Sequence, residues 1–144
     1  MAVPTEIMKL HSNIMLSANV FFVNTIPFFI THADNILFTT TEWITDRQIT
    51  TLLKACDYIL NLHNKRSFRV TTMNMDGEFD NNKFRTQLDN RSAHLNCTSA
   101  KEHVPAIERR IRTLKERVRA CVSRLPYKKL PKVMIRSIVS HLVT

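Results

Sequence analysis

The first part of the chain alternates short apolar runs with polar breaks, which is typical of strands. Residues 14–23 form a nearly continuous apolar and β-branched run, and this pattern predicts a strand buried on both faces. Asn19 interrupts the run, so its amide must meet a polar partner inside the sheet. Further runs at residues 26–31 and 36–41, separated by a hairpin loop at residues 32–35, predict two more strands. Three antiparallel strands are therefore expected to open the fold.

The middle of the chain changes to helical spacing. Apolar residues recur at that spacing over about residues 46–64, where Thr45 and Gln48 occupy the positions of a capping box. A fourth apolar run at residues 68–75 predicts another strand, and its place after a helix favours a parallel crossover. The polar stretch at residues 80–90 is predicted to be a loop or a short helix.

The last third carries the clearest helical pattern. After a predicted fifth strand at residues 94–97, apolar side chains recur at steps of three and four and predict an amphipathic helix over residues 105–125; they are Ile107, Ile111, Leu114, Val118, Cys121 and Leu125. A further helix is predicted from residue 131 onward. Because the chain stops inside that pattern, we expect it to be truncated at its C-terminus relative to a parent protein. The order of elements predicts an α/β fold, a mixed sheet flanked by helices, in one domain spanning residues 1–144.

Composition narrows the class of protein. The chain has 144 residues, 44% of them hydrophobic, and a single glycine, which argues against disorder and against a glycine-rich phosphate loop. No apolar run approaches the roughly 18 residues of a membrane span, and no cleavable leader pattern opens the chain. We therefore expect an intracellular protein, nuclear or cytoplasmic, that is not secreted and has no membrane partner. Three separated cysteines and six histidines lack zinc-site spacing.

The positive charge is confined to one part of the sequence. Residues 1–100 contain nine basic and nine acidic side chains, whereas residues 101–144 contain twelve basic and three acidic ones. The whole formal net charge of +9 therefore belongs to the last third of the chain. A basic segment joined to a neutral body indicates a polyanionic partner, and nucleic acid is the most common one.

Two carboxylates stand where chemistry is possible. Asp76 ends a predicted strand just before Gly77, at the sheet edge where α/β proteins place reactive groups. Taken alone, an Asp-Gly pair is more typical of a turn. Glu108 lies in the first turn of the basic helix, and an acid at that position is also explained by the helix dipole alone. The acid and the cations of the helix, taken together, have a further interpretation. The acid could hold a divalent metal next to a phosphate that the cations bind.

The residues around these two acids resemble a known family. The block Asp76-Gly77-Glu78-Phe79, followed by Glu108-Arg109-x-x-Arg112-Thr113-Leu114-x-Glu116, is similar to the integrase core of copia-type long-terminal-repeat retrotransposons. The resemblance covers roughly residues 14–142. It implies a ribonuclease-H-like fold that performs metal-dependent 3′ processing and strand transfer on DNA. It also implies that Asp76 and Glu108 are two members of an Asp-Asp-Glu triad that binds Mg²⁺ or Mn²⁺, and that homo-oligomers are possible.

The first member of that triad is replaced in this chain. The resemblance places it in the middle of the first strand, where Asn19 stands. Two-metal phosphoryl transfer needs anionic oxygens to hold two cations about 4 Å apart. An amide offers one neutral oxygen and cannot supply the charge that Mg²⁺ prefers. We therefore expect little or no catalysis, unless Asn19 is simply a hydrogen-bonded core amide in an unrelated sheet.

The basic helix has several interpretations. Its six cations are predicted to contact DNA phosphates; they are Arg109, Arg110, Arg112, Lys115, Arg117 and Arg119. They could instead form the solvated face of a core helix. If the catalytic hypothesis fails, the alternative is a non-catalytic nucleic-acid-binding remnant that uses the helix at residues 105–125. A third hypothesis is an assembly module, in which the apolar stripe of that helix pairs with another chain.

Overall fold

The computed structural model describes residues 13–33, 36, 38–97, 105–127 and 129–143. These residues form five strands and four α-helices. The strands are β1 (Asn13–Val23), β2 (Ile26–Ala33), β3 (Phe38–Trp43), β4 (Arg69–Met75) and β5 (His94–Cys97). The helices are α1 (Ile49–Asn64), α2 (Asn82–Asn90), α3 (Pro105–Ser123) and α4 (Lys132–Leu142).

The strands form one mixed sheet in the order β3-β2-β1-β4-β5. The first three strands pair antiparallel, while β4 joins β1 and β5 joins β4 in parallel. The crossover through α1 makes the parallel pairing of β1 and β4 possible, because such a connection needs a dozen or more residues. The predicted fold class, three antiparallel strands followed by parallel ones with flanking helices, is confirmed.

Strand β1 is central and is covered on both faces. Alternate side chains beginning at Ile14 belong to a core that also contains the apolar residues of α1 and α2. The side chains of Phe21 and Val23 point the other way, into a second core formed with α3 and α4. Asn19 shares that second face, because strand side chains alternate with a period of two. The prediction of a strand buried on both faces is therefore correct, and the amide of Asn19 faces α3.

The start of α1 differs from the prediction. The helix begins at Ile49, and Gln48 at its N-cap makes no side-chain capping bond. The chain before the helix is instead held by Asp46, whose Oδ1 accepts hydrogen bonds from the backbone N–H of Gln48 at 2.9 Å and from Thr51 Oγ1 at 2.7 Å. These two bonds, that of Thr51 first, hold the pKa of Asp46 below its ordinary value. The predicted capping box of Thr45 and Gln48 is wrong because an adjacent carboxylate is the stronger acceptor.

The polar stretch after β4 forms a short helix, which was one of its two predicted forms. The side chain of Asn81 caps α2 by accepting from the backbone N–H groups of Lys83 and Phe84, at 2.9 and 3.3 Å. After α2, the guanidinium of Arg91 makes a two-pronged ion pair with Asp57 of α1, with Nη2 3.1 Å from Oδ2. This pair joins α2 to α1 on one face of the sheet.

Other boundaries shift by a few residues. Strand β2 continues to Ala33, so the start of the predicted hairpin loop at residues 32–35 is a strand, while Asp34 and Asn35 lie outside the described residues. Strand β3 begins at Phe38 and ends at Trp43. Helix α3 ends at Ser123, two residues before the predicted end.

The apolar stripe of α3 is covered within the chain. Four of its residues are buried against the sheet and against Ile135 and Val139 of α4; they are Ile107, Ile111, Leu114 and Val118. The assembly hypothesis requires an uncovered stripe, which these four residues do not provide, whereas Cys121 and Leu125 at its end are half-buried. Within the described ranges, no helix combines the length and the apolar character needed to cross a bilayer.

Candidate active site

The candidate site begins where β1 and β4 lie side by side. Their parallel register pairs Ser17 with Asn74, and extending it by two residues places Asp76 beside Asn19. Neighbouring strands are separated by about 4.8 Å, and laterally paired residues point to the same face. Asn19 and Asp76 are both buried, with 6% and 8% of their surfaces exposed. The strands therefore present an amide and a carboxylate next to each other on the face that α3 covers.

Helix α3 supplies the third predicted residue. Nδ2 of Asn19 donates a hydrogen bond to Oε1 of Glu108 at 3.2 Å. Ile107, next to Glu108, is fully buried and fixes the first turn of α3 against the sheet. The other end of the amide is also engaged, since Oδ1 of Asn19 accepts from the backbone N–H of Val20 at 2.8 Å. The buried amide thus has the polar partner that the sequence required.

Asp76 contributes its side chain to the candidate site and its backbone to a turn. Its carbonyl oxygen accepts from the N–H of Phe79 at 3.0 Å, which closes a 3₁₀ turn over Gly77–Phe79. The interpretation of Asp-Gly as a turn is therefore correct, and it does not compete with the site. Phe79 is buried in the core beneath the turn, so it anchors the chain directly after Asp76.

A neighbouring thiol responds to the charges at this edge. Cys97 at the end of β5 pairs with Met75, the residue before Asp76. Burial raises the pKa of Cys97, and the carboxylates of Asp80 and Asp76 raise it further. Cys97 is therefore a protonated thiol at neutral pH.

Arg47 is a residue at this end of the sheet that the sequence pattern did not reveal. Its guanidinium carbon lies 6.0 Å from the ring centroids of both Phe22 and Phe79. These rings follow Asn19 and Asp76 by three residues each, so Arg47 packs across the ends of the two strands that carry the site. Nothing in the local spacing around Arg47 predicts the contact, because both rings are distant in sequence.

The donor set does not fit a two-metal centre as it stands. Asp76 and Glu108 provide two carboxylates, but the amide of Asn19 turns its N–H₂ group toward Glu108. Magnesium requires oxygen ligands, and the one amide oxygen is engaged with the backbone of Val20. Within the described residues, no three or more His, Cys, Asp or Glu side chains are grouped so that they could hold a metal ion.

The six predicted phosphate-binding cations are not equivalent. Arg112, Lys115 and Arg119 follow Glu108 at steps of four, three and four, so they form one row along α3 that starts at the candidate site. We call these three the basic row. It extends about 10 Å along the helix at about 1.5 Å per residue, and its last member lies about 16 Å from Glu108.

The remaining cations of α3 lie elsewhere on the helix. Arg110 and Arg117 flank the opposite side, beside β2 and the end of α4, where Arg117 Nη1 approaches the carbonyl oxygen of Leu142 at 3.5 Å. Arg109 faces outward and is exposed. All six side chains are at least partly exposed, and none forms an ion pair with another described residue.

Comparisons with known proteins agree with this architecture. The catalytic core domain of BIV integrase, known from a crystal structure, matches 90% of this chain and 80% of its own, with a TM-score of 0.68 and 10% identity. The fold is that of an integrase catalytic core. At this identity the likeness establishes the integrase-core fold alone. No protein-family model matches the sequence, and no curated protein matches it.

Proposed function

We propose that this chain is an integrase-core-like DNA-binding protein, related to those of copia-type retrotransposons, whose site for 3′ processing and strand transfer is silenced by Asn19. The observation that carries the proposal is the 3.2 Å hydrogen bond from Asn19 to Glu108. This contact joins the two residues proposed as the first and third triad positions, which supports the proposal. Asp76, proposed as the second position, directly follows the neighbouring strand β4.

The silencing follows from the chemistry of the amide. In an active core, Mg²⁺ or Mn²⁺ would activate the attacking hydroxyl and stabilise the leaving oxygen. Here Asn19 contributes no negative charge, and its N–H₂ group occupies an oxygen of Glu108. Asp76 and Glu108 remain as candidate ligands, but two carboxylates do not provide the bridging oxygen that a pair of ions needs.

DNA binding does not require the missing carboxylate. The basic row begins at Arg112, one turn after Glu108, and continues along α3, so a phosphate backbone can follow it away from the site. Phosphate contacts of this kind are independent of base sequence and sensitive to salt. The segment contains no aromatic side chain before Tyr127, which favours contacts with the backbone over base stacking.

The second candidate function is a nucleic-acid-binding remnant whose carboxylates have no role. The observation in its favour is that the six cations of α3 pair with no described acid, so all of them are available to phosphates. The two candidates differ in what a single substitution restores. Under the first, Asn19→Asp recreates a metal-dependent enzyme. Under the second, Asn19→Asp produces no activity.

The test is a disintegration assay on branched DNA with Mn²⁺, using the parent chain, Asn19→Asp and the double variant Asn19→Asp/Glu108→Gln. Asn13→Asp is the matched control, because it makes the same chemical change at the exposed start of β1. We expect joined product only with Asn19→Asp. Salt-dependent DNA binding by all four proteins, without product from any, would refute the catalytic proposal and support the remnant.

A further inference from the structure

A cavity lies beyond the end of the basic row. It has a volume of about 350 Å³, is open to solvent on one side, and is lined by the end of β1, the second half of α3 and helix α4. This volume is within the range of small-molecule sites, which run from about 300 to 1,000 Å³. Its apolar wall includes Val23, Val118, Val122, Ile135 and Ile138. A ligand with an apolar body would therefore replace water there favourably.

The polar part of the cavity lining is positively charged. Lys115 and Arg119, one helical turn apart on α3, both line it, and no acidic side chain does. Neither cation forms an ion pair with another described residue. Asn24 and Ser123 add neutral hydrogen-bonding groups. An anionic group on the ligand would thus meet two cations on the α3 wall of the cavity.

The turn that borders the cavity is geometrically fixed. Asn24 and Thr25 connect β1 to β2 with φ angles of 48° and 67°, the left-handed pair that a two-residue hairpin turn requires. The strands on either side of the turn are paired up to Val23 and Ile26. The cavity wall at β1 is therefore held by the sheet itself, so the site is preformed and a ligand does not have to order it.

We propose that this cavity binds a small organic anion with a flat or branched apolar body, such as an aromatic carboxylate. The apolar wall holds the body, and Lys115 and Arg119 hold the charge. Since both cations also belong to the basic row, an occupied cavity competes with DNA for them. That consequence rests on the function proposed above, whereas the binding itself does not.

The binding test uses 1-naphthoate as the probe, with neutral 1-naphthalenemethanol and cationic 1-naphthylmethylammonium of the same shape as controls. Affinities come from titrations followed by amide chemical shifts. We expect 1-naphthoate to shift the amides of Val23, Val118 and Val122, with the neutral probe at least about fivefold weaker. Equal affinity for all three probes, or shifts confined to another surface, would overturn the proposal.

Variants separate the charge from the shape. Lys115→Met and Arg119→Met each remove one cation while keeping a long apolar stem, and Lys54→Met on the opposite face of the sheet is the control for net charge. Val122→Phe fills the cavity, and Ile138→Phe is a second filling variant if the first unfolds. We expect weaker 1-naphthoate binding by the first pair and the filling variants, and no change for Lys54→Met. Unchanged affinity in a folded filling variant contradicts the site.

A competition arm distinguishes the two proposals. If 1-naphthoate binds in the cavity and displaces duplex DNA from the parent chain, both the anion site and its regulation of DNA binding are supported. If it binds in the cavity while the protein has no affinity for DNA, the anion site is supported and the proposed function fails. If DNA binds and saturating 1-naphthoate leaves its affinity unchanged, the competition is refuted.

Discussion

Asn19 and Glu108 are separated by 89 positions in the sequence, and a single hydrogen bond of 3.2 Å joins their side chains. The bond connects the central strand of the sheet to the first turn of the basic helix. An amide is suited to this place in the absence of a cation, because it donates to the carboxylate where an aspartate would repel it. The amide of Asn19 therefore stabilises this contact in the absence of a metal ion.

The first prediction concerns stability without metal. Asn19→Asp replaces the donor with a second carboxylate next to Glu108 and close to Asp76, in a site where Asn19 is almost fully buried. We expect the free energy of unfolding at neutral pH, in the presence of a chelator, to fall by about 1–3 kcal/mol. Urea denaturation measures it. Asn13→Asp should change the free energy by less than about 0.5 kcal/mol, and equal stability of the two variants would contradict the contact.

The strands were predictable because the order of apolar and polar residues along each one reflects how it is buried. The run around Asn19 is apolar on both faces, and that is a property of a central strand regardless of what covers it. The parallel pairing of β4 followed from the helix before it. The ends of β2 and β3 were not predictable, since residues such as His32 pair with Thr39 across the hairpin through a 2.7 Å side-chain hydrogen bond that no local pattern encodes.

The candidate site was predictable in part. Sequence blocks predicted Asp76 and Glu108, and the family resemblance predicted Asn19 from its place in the middle of the first strand, because these predictions depend on the order of elements. The packing of Arg47 against Phe22 and Phe79 depends on three separate segments meeting, so no spacing rule contains it. For the same reason, six cations on α3 were predicted as one group, without separating the basic row from the flank beside Leu142.

The second prediction concerns the salt dependence of DNA binding. The triple variant Arg112→Ala/Lys115→Ala/Arg119→Ala removes the basic row. Each lost phosphate contact lowers the slope of log affinity against log salt by about 0.9, so the slope should fall by about 2.7. Fluorescence anisotropy of a labelled duplex, recorded between about 50 and 200 mM salt, measures this slope.

The control for this triple variant removes three cations from the opposite end of the sheet. Lys65, Arg66 and Arg69 are exposed near the start of β4, whereas Asp76 follows its end. Their replacement by alanine causes the same loss of net charge. We expect the slope to change by less than about 1. Equal slope changes in the two triple variants would mean that α3 is not the phosphate-binding surface.

His63 gives the fold a dependence on pH. It is buried in α1, and its Nδ1 lies 2.8 Å from the carbonyl oxygen of Ile59. A carbonyl only accepts, so Nδ1 carries the proton in the neutral ring. Nε2 is buried and has no hydrogen-bond partner among the described residues. Protonation would place an unsolvated charge at Nε2, and burial accordingly lowers the pKa of His63 below its ordinary value.

The third prediction follows from the direction of that shift. The unfolded chain takes up the proton near the ordinary histidine pKa of about 6.5, while folded His63 resists it until a lower pH. Stability from this residue is therefore complete above about pH 6.5 and is lost as the pH falls through the lowered value. Urea denaturation between about pH 7.5 and 5 should show a shallower fall for His63→Gln than for the parent chain. Parallel curves would show that His63 titrates normally.

The most direct test of the proposed function is whether Asn19 stands in the place of a metal ligand. Electron paramagnetic resonance measures the unbound Mn²⁺ in equilibrium with the protein. It therefore gives the Mn²⁺ affinities of the parent chain, Asn19→Asp and Asn13→Asp. Restoring a carboxylate beside Asp76 and Glu108 should tighten Mn²⁺ binding by at least about 10-fold in Asn19→Asp alone, since even outer ligand partners are worth about 10- to 100-fold. If all three proteins bind Mn²⁺ equally, Asn19 is an ordinary core amide and the integrase-site hypothesis is wrong.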